Sequence, residues 1–398
     1  MAARALTLSN GATGVLNASS LRLSNLLKLV DSLRRAPSVT RADMSREIGL
    51  SIQAVHRLVD DLVDIGLAEA LPQGAIGQGR GRPTIPFRFR SERACLAGID
   101  VGSTMTRVSV ADLSGQVRHS RHFPTSELRP DLGGGLRTCL QEITATGGTR
   151  FPLIGIGVGV PSVVDESGTL VEPWNVAEWR GMPLQQDLAL AFNCAITVAQ
   201  DNHLSALAET EALPSRAPAE LVIVLELGGG IGAGATLGGL MLRGREGRFG
   251  RLMRWSYPAP DALSLEGNSL GELLTHTGLI SQYTARGGTS EISTGVQLLS
   301  AAETDGAARE TVTWAAIALA DVIEKIRLFA DPSVLVIGGG LGRALFTSHL
   351  TAEIFDTGSD QVRASALGEE AVALGGLLVA QSSVTPWILS CIESPLPE

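Results

Sequence analysis

Two kinds of hydrophobic pattern divide this chain. From residue 21 the apolar positions follow a helix: Leu23, Leu26, Leu27, Val30 and Leu33 recur at i, i+3, i+4, i+7 and i+10, one face of a cylinder. Pro37 stops that helix. Thr40 caps a second, with Asp43 three residues on as a short capping box, and Met44 and Ile48 face the first helix before Gly49 ends the run. Ser51 caps a third helix whose apolar stripe is Val55, Leu58, Val59 and Leu62. The stretch from Gly66 to Arg90, with GQGRGRP at its centre, reads as a hairpin. From about Cys95 the pattern changes to short apolar strands ending in Gly-rich turns. LAGIDVGSTMTRVSVADL (96–113) is strand, turn, strand, and LVIVLELGGGIGAGATLGGLML (221–242) repeats that layout. The repetition predicts a duplicated α/β fold of two lobes. Further strands are expected at 153–161, 195–201 and 334–342, and a helix fills much of 309–330.

Three short helices with a Gly-containing turn match helix-turn-helix spacing. The third would be the recognition helix, capped by Ser51, with Gln53, His56 and Arg57 free to reach base edges or phosphates in a major groove. Arg80 and Arg82, on a tip poor in Cβ atoms, suit a minor groove. The alternative for this segment is a helical oligomerisation module with the Gly/Arg stretch as a linker. Charge favours the first reading. Residues 1–93 hold 13 basic and 8 acidic side chains, a net +5, while the remainder carries −14 of the total −9. A basic front on an acidic body confines any phosphate contact to the front.

No apolar run is expected to span a membrane, and residues 1–20 lack a signal pattern, so the expected location is the cytoplasm. Cys95, Cys139, Cys194 and Cys391 stand far apart, which indicates neither a disulfide framework nor a zinc site.

Four turns at the carboxyl ends of predicted strands could carry chemistry. They are Asp100-Val101-Gly102-Ser103-Thr104, Asp201, the run Gly228, Gly229, Gly230, Ile231, Gly232, and Gly338-Gly339-Gly340. Open α/β sheets bind ligands at that edge, and glycines let main-chain N–H groups approach phosphate oxygens. An Asp beside such a turn can hold Mg²⁺ through water. Each turn alone is an ordinary tight turn; the four in this order are specific.

In order and text these turns resemble the ROK family of repressors and sugar kinases, on an actin-like ATPase fold, over about residues 20–382. GIDVGST (98–104) resembles the first phosphate loop, residues 159–184 the sugar loop, VAQDNHLSALAE (198–209) the catalytic-Asp segment, LGGGIGAG (227–234) the second phosphate loop and VIGGGLG (336–342) the adenosine loop. The N-terminal helix-turn-helix with a GRP-tipped wing resembles the regulator branch. The resemblance implies that Asp201 is the family's base position, and that Asn175 and Gln200 contact sugar hydroxyls, Gln200 standing where the family has Asn. It also exposes departures. The family's sugar-binding Glu is Arg251, its His is Arg254, and no cysteine stands in LSLEGNSLGELL (263–274), so a structural zinc is not expected. Asp100 and Thr104 are retained, which keeps Mg-ATP binding open. The stretch 242–254 holds five arginines, either a solvated loop or a site for a phosphosugar or sugar acid.

The expected architecture is a tail (1–20), a winged helix-turn-helix (21–92), a two-lobed α/β ROK domain (93–382) and a C-terminal tail without a role (383–398). The expected function is a transcription regulator, a repressor of carbohydrate genes, binding an operator as a homodimer or homotetramer and controlled by a sugar, phosphosugar or sugar-acid effector in a kinase-like cleft that has lost catalysis. The rival readings are an ATP-dependent sugar kinase with a DNA-binding head and a nucleotide-sensing scaffold.

Overall fold

The computed structural model describes residues 18–72, 85–146, 152–174, 176–214, 220–260, 269–289, 291–355 and 361–393. The first helix, Ala18–Arg35, starts inside the stretch expected to be a tail, and it buries Leu26, Leu29, Val30 and Leu33. Arg41–Ile48 follows. Thr40 caps it, its hydroxyl accepting the Asp43 N–H at 3.2 Å, and Gly49 closes it at φ +71°, a conformation open to glycine. The third helix, Ile52–Asp64, is capped by Ser51 and buries the expected Val55, Leu58, Val59 and Leu62. Ala68–Ala70 and Pro86–Phe89 pair antiparallel as the sides of a hairpin, and Val39–Thr40 joins them in a three-stranded sheet. The tip, with Arg80 and Arg82, lies outside the described residues.

The body contains two five-stranded sheets. In the first, Cys95–Val101 lies parallel to Leu153–Val160 and antiparallel to Met105–Asp112, with Ala195–Gln200 and Val117–Pro124 at the edges. In the second, Leu221–Leu227 lies parallel to Val334–Gly338 and antiparallel to Ile231–Leu237, with Val362–Ala364 and Leu240–Met241 at the edges. Counted from each first strand, both sheets have the order fifth, fourth, first, second, third. The repeated layout in the sequence is thus a repeated topology.

Two helices pack between the sheets. Asp201–Ala212 lies against the second sheet and Ala371–Ala380 against the first, and the two touch each other closely. Small residues allow this: a Cβ on Gly375 would collide with the Leu204 carbonyl. The second of these helices is part of a run, Gly368–Ile392, that is long and apolar enough to cross a membrane, contrary to the expectation that none is. Its place in the fold explains the composition. Ala371, Ala373 and Leu377 are buried, a tight turn at Gln381–Ser383 interrupts the run, and the final helix, Val384–Glu393, continues into the head.

That final helix corrects the expectation of a tail without a role. Val384, Ile388 and Cys391 are buried in the same apolar cluster as Leu29, Met44, Val59 and Leu62 of the head. Leu96, Ala111, Leu113 and Ile154 of the first lobe join it. Head and body therefore share one core, and the end of the chain supplies part of it.

Candidate functional site

The carboxyl ends of both sheets open on one cleft of about 650 Å³. Its wall brings together Asp100, Gly102, Ser103 and Thr104 of the first turn, Gln200 and Asp201, Gly228, Gly229, Gly230 and Gly232, Arg251, Arg254, and Gly339 and Gly340. Gly338 stands just behind, where a Cβ would lie 2.6 Å from the Glu226 carboxylate. Asn175 lies outside the described residues. Residues more than two hundred positions apart thus share one cavity, because each turn follows a strand that ends at the same edge.

At the end bounded by the phosphate-type turns, charges are answered from within the chain. Asp100 is buried, and burial pushes its carboxyl up to about 7 against the pull of Arg107, whose Nη1 stands 3.4 Å from Oδ2. The other side of the Arg107 guanidinium pairs with Glu369. Glu226, half-buried, accepts the Ser205 hydroxyl, and desolvation pushes its pKa up to about 7. Burial pushes Asp201, the first residue of its helix, up to about 8, although the Asn202 N–H donates to its Oδ1 at 2.7 Å; the neighbouring Asp100 and Glu226 charges add to the rise. His276 accepts the Gly295 N–H on Nδ1 at 2.9 Å, which leaves its proton on Nε2, the nitrogen facing Gly228.

The opposite end is lined by Arg129, Trp174, Trp179, Gln200, Arg251 and Arg254. Glu172, on the strand Leu170–Pro173 of the first lobe, meets the arginines of the second. Its carboxylate lies 2.5 Å from Arg251, 2.7 Å from Arg248 and 3.8 Å from Arg254. Those guanidiniums hold its pKa below the usual range even though burial opposes them. Gln200 is 1% exposed, and neither its amide oxygen nor its nitrogen has a partner. The Trp179 indole donates to the Arg129 carbonyl at 3.1 Å.

The head presents a separate surface. Gln53, His56 and Arg57 are exposed on the N-terminal half of the Ile52–Asp64 helix. Of the three acids in its C-terminal half, Asp60 pairs with Arg41 at 2.5 Å and Asp61 with Arg22 at 2.7 Å. The exposed half is left to meet phosphate or base edges.

The comparisons with known proteins fit this division. The family model described as ROK family matches residues 96–382, and one described as winged helix-turn-helix DNA-binding matches residues 22–69. The chain belongs to the ROK family. Among its ROK relatives, a candidate xylose repressor of Caldicellulosiruptor sp. (strain Rt8B.4) is 23% identical over 355 residues, which cover 85% of this chain and 87% of that one. A solved ROK family transcriptional regulator, a homolog of the E. coli MLC protein, superposes with a TM-score of 0.68 at 20% identity, covering 94% of this chain and 99% of the other. A ROK family glucokinase from Streptomyces griseus, solved with glucose and AMPPNP, superposes at 0.58 with 20% identity, over 72% of this chain and 99% of its own. The kinase-like body is therefore shared with ROK sugar kinases, and the head with ROK regulators.

Arg107, Glu172 and Glu226 were not among the residues expected in the ROK cleft. Two left a signal. Glu226 is a lone acid inside the apolar strand LVIVLEL, directly before the glycine run, and Arg107 is a lone cation in the strand after the first turn. Glu172 left none, because its partners lie 76 and more residues away. Among the described residues, no three His, Cys, Asp or Glu side chains group as metal ligands.

Proposed function

We propose that this ROK protein is a cytoplasmic, sequence-specific transcription regulator of carbohydrate genes, a repressor released by a sugar-type effector bound in the cleft. The observation that carries the reading is the shared core: the head is fused by buried contacts to a kinase-like body whose cleft lies at the far end of the same helices. The Asp201 helix packs on Ala371–Ala380, and that run leads through Gln381–Ser383 into the helix buried in the head. An effector that binds one arrangement of the Asp201 helix more tightly would thereby bias the head, which is what allosteric control requires. As a homodimer or homotetramer the protein would place two recognition helices on half-sites ~10.5 base pairs, or a multiple, apart.

One feature supports a cleft without catalysis. The Asp100 carboxylate, which would face a nucleotide-bound metal, is taken by Arg107. The retained phosphate-type turns favour the rival kinase reading, in which steady ADP production with one sugar would be lost in Asp201→Asn.

Selection from random duplex DNA, with and without a mixture of sugars and sugar derivatives, tests the proposal. A two-fold symmetric site that is enriched alone and lost with the mixture is expected. Failure to enrich any site in either condition would remove the regulator reading. Arg57→Ala is expected to weaken binding to the selected site by ~1–3 kcal/mol.

A further inference from the structure

The sugar end of the cleft has more positive charge than the chain itself neutralises. Three guanidiniums from the second lobe, Arg248, Arg251 and Arg254, converge on the single carboxylate of Glu172 from the first. Glu246 answers Arg248, so Arg251 and Arg254 are left to share one oxygen, Glu172 Oε2. Arg129, from the first lobe, lines the same end and has no ion-pair partner among the described residues. Such an excess calls for an anion.

A second observation stands apart from the charges. Gln200 lines this cavity, and both the oxygen and the nitrogen of its buried amide are unpaired. A buried amide without partners is rare in a finished fold, and a ligand with hydroxyl groups would supply both a donor and an acceptor. The two features are neighbours. The Gly250 carbonyl accepts the Ala233 N–H at 2.8 Å, and a Cβ on Gly232 would lie 3.5 Å from that carbonyl and collide with the Asn202 amide. The turn that carries Arg251 is thereby tied beside residues 200–202.

We propose that the effector is an anionic polyol, a sugar bearing a carboxylate or a phosphate, whose acidic group takes Arg251 and Arg254 from Glu172 while its hydroxyls pair with Gln200 and Asp201. The proposal rests on the regulator reading for the word effector, but not for the binding itself. Of the acids facing the site, Asp201 has its pKa raised by burial, which disfavours its charge, and Glu172 is the group displaced. The Glu172–Arg251 pair joins the two lobes, so its exchange for a ligand-bridged pair changes how the lobes are held together.

Calorimetry on the full chain at fixed ionic strength tests this with gluconate, glucuronate, glucose 6-phosphate and 6-phosphogluconate against glucose, xylose and inorganic phosphate. At least one acid is expected to bind ten-fold or more tightly than either neutral sugar, and the carboxylate and phosphate arms tell which acidic group is used. Arg251→Gln should weaken that ligand at least ten-fold. Glu172→Gln, which removes the internal competitor and leaves the arginines in place, should strengthen it several-fold, and covers the case in which the arginine variant does not fold. Neutral sugars binding as well as every acid would overturn the proposal, as would inorganic phosphate matching the sugar phosphates, or a Glu172→Gln variant that binds the acids less well. Operator release, measured in parallel, separates the two readings. Acids that bind without releasing DNA would defeat the regulator, and release by a neutral sugar alone would defeat the anionic effector.

Discussion

The two ends of the cleft solve the problem of buried charge in different ways. At the phosphate-type end most groups have an internal answer: Arg107, its Nε apart, lies between Asp100 and Glu369, and Ser205 donates to Glu226. At the opposite end the answers are incomplete: Glu172 faces Arg251, the most buried of three guanidiniums, together with Arg248 and the exposed Arg254, and Gln200 has no partner. Polar groups removed from water cost free energy unless they are paired, so a fold tolerates unpaired ones mainly where something else completes them. The contrast separates an end whose charges are mostly paired within the chain from an end where a buried amide is left unpaired.

The sharpest way to break the contrast is to open the closed end. Arg107→Ala strands the buried Asp100 carboxylate and should cost about 3 kcal/mol at pH 8 in urea denaturation. The cost should shrink at pH 6, where Asp100, already pushed up to about 7, takes a proton. A loss below about 1 kcal/mol would mean that this cation does not hold the end together.

Next in size is a pH effect. Asp201, Asp100 and Glu226 have pKa values raised by burial to about 8, 7 and 7, with Arg107 the cation beside Asp100. The folded state therefore binds more protons than the unfolded chain above the ordinary carboxylate range, and stability should fall as pH climbs from about 4 to 8. Asp201→Asn should match the parent at pH 4, gain through that window, and melt several degrees higher above pH 8. Parallel pH curves for the two proteins would show that Asp201 ionises freely.

A smaller effect of opposite sign is expected at the open end. Gln200→Leu removes an unpaired amide and should add about 1 kcal/mol of stability without ligand, while abolishing the ligand-induced rise in Tm. Destabilisation instead would reveal that the amide already has its partners. Smallest of all, Arg129→Gln should change stability by no more than about 0.5 kcal/mol, because no ion pair of Arg129 exists among the described residues to be lost.

This contrast was only partly legible in the sequence, for a physical reason. Periodicity and capping are local, so the recognition helix, its Ser51 cap and its four buried apolar residues could be placed from the chain alone. The glycine turns were legible because strand and turn are neighbours in sequence, and the duplicated layout placed them at one edge. Pairing across the cleft is not local. The stretch 242–254 announced five arginines, but only the fold shows that Arg248 and Arg251 rest on Glu172, so the choice between a solvated loop and an anion site needed the other lobe. The final helix escaped notice for a related reason: Val384, Ile388 and Cys391 form an apolar face whose counterpart lies at the other end of the chain.

That final helix has a consequence for how the protein is made. Residues 18–72 and 85–93 are made before the body, but a piece of the apolar cluster they share, Ile388 among it, arrives some 290 residues later. At ~5–20 residues per second the head must wait about 15–60 s for its last packing partner. Until then it has an exposed apolar seat and an unfinished fold. A chain cut short before residue 384 lacks Val384, Ile388 and Cys391, and with them part of the apolar cluster that holds Val59 and Leu62 of the third helix. Order of synthesis thus sets the order of packing: the core around the head is filled only after the whole of the two-lobed body has been made.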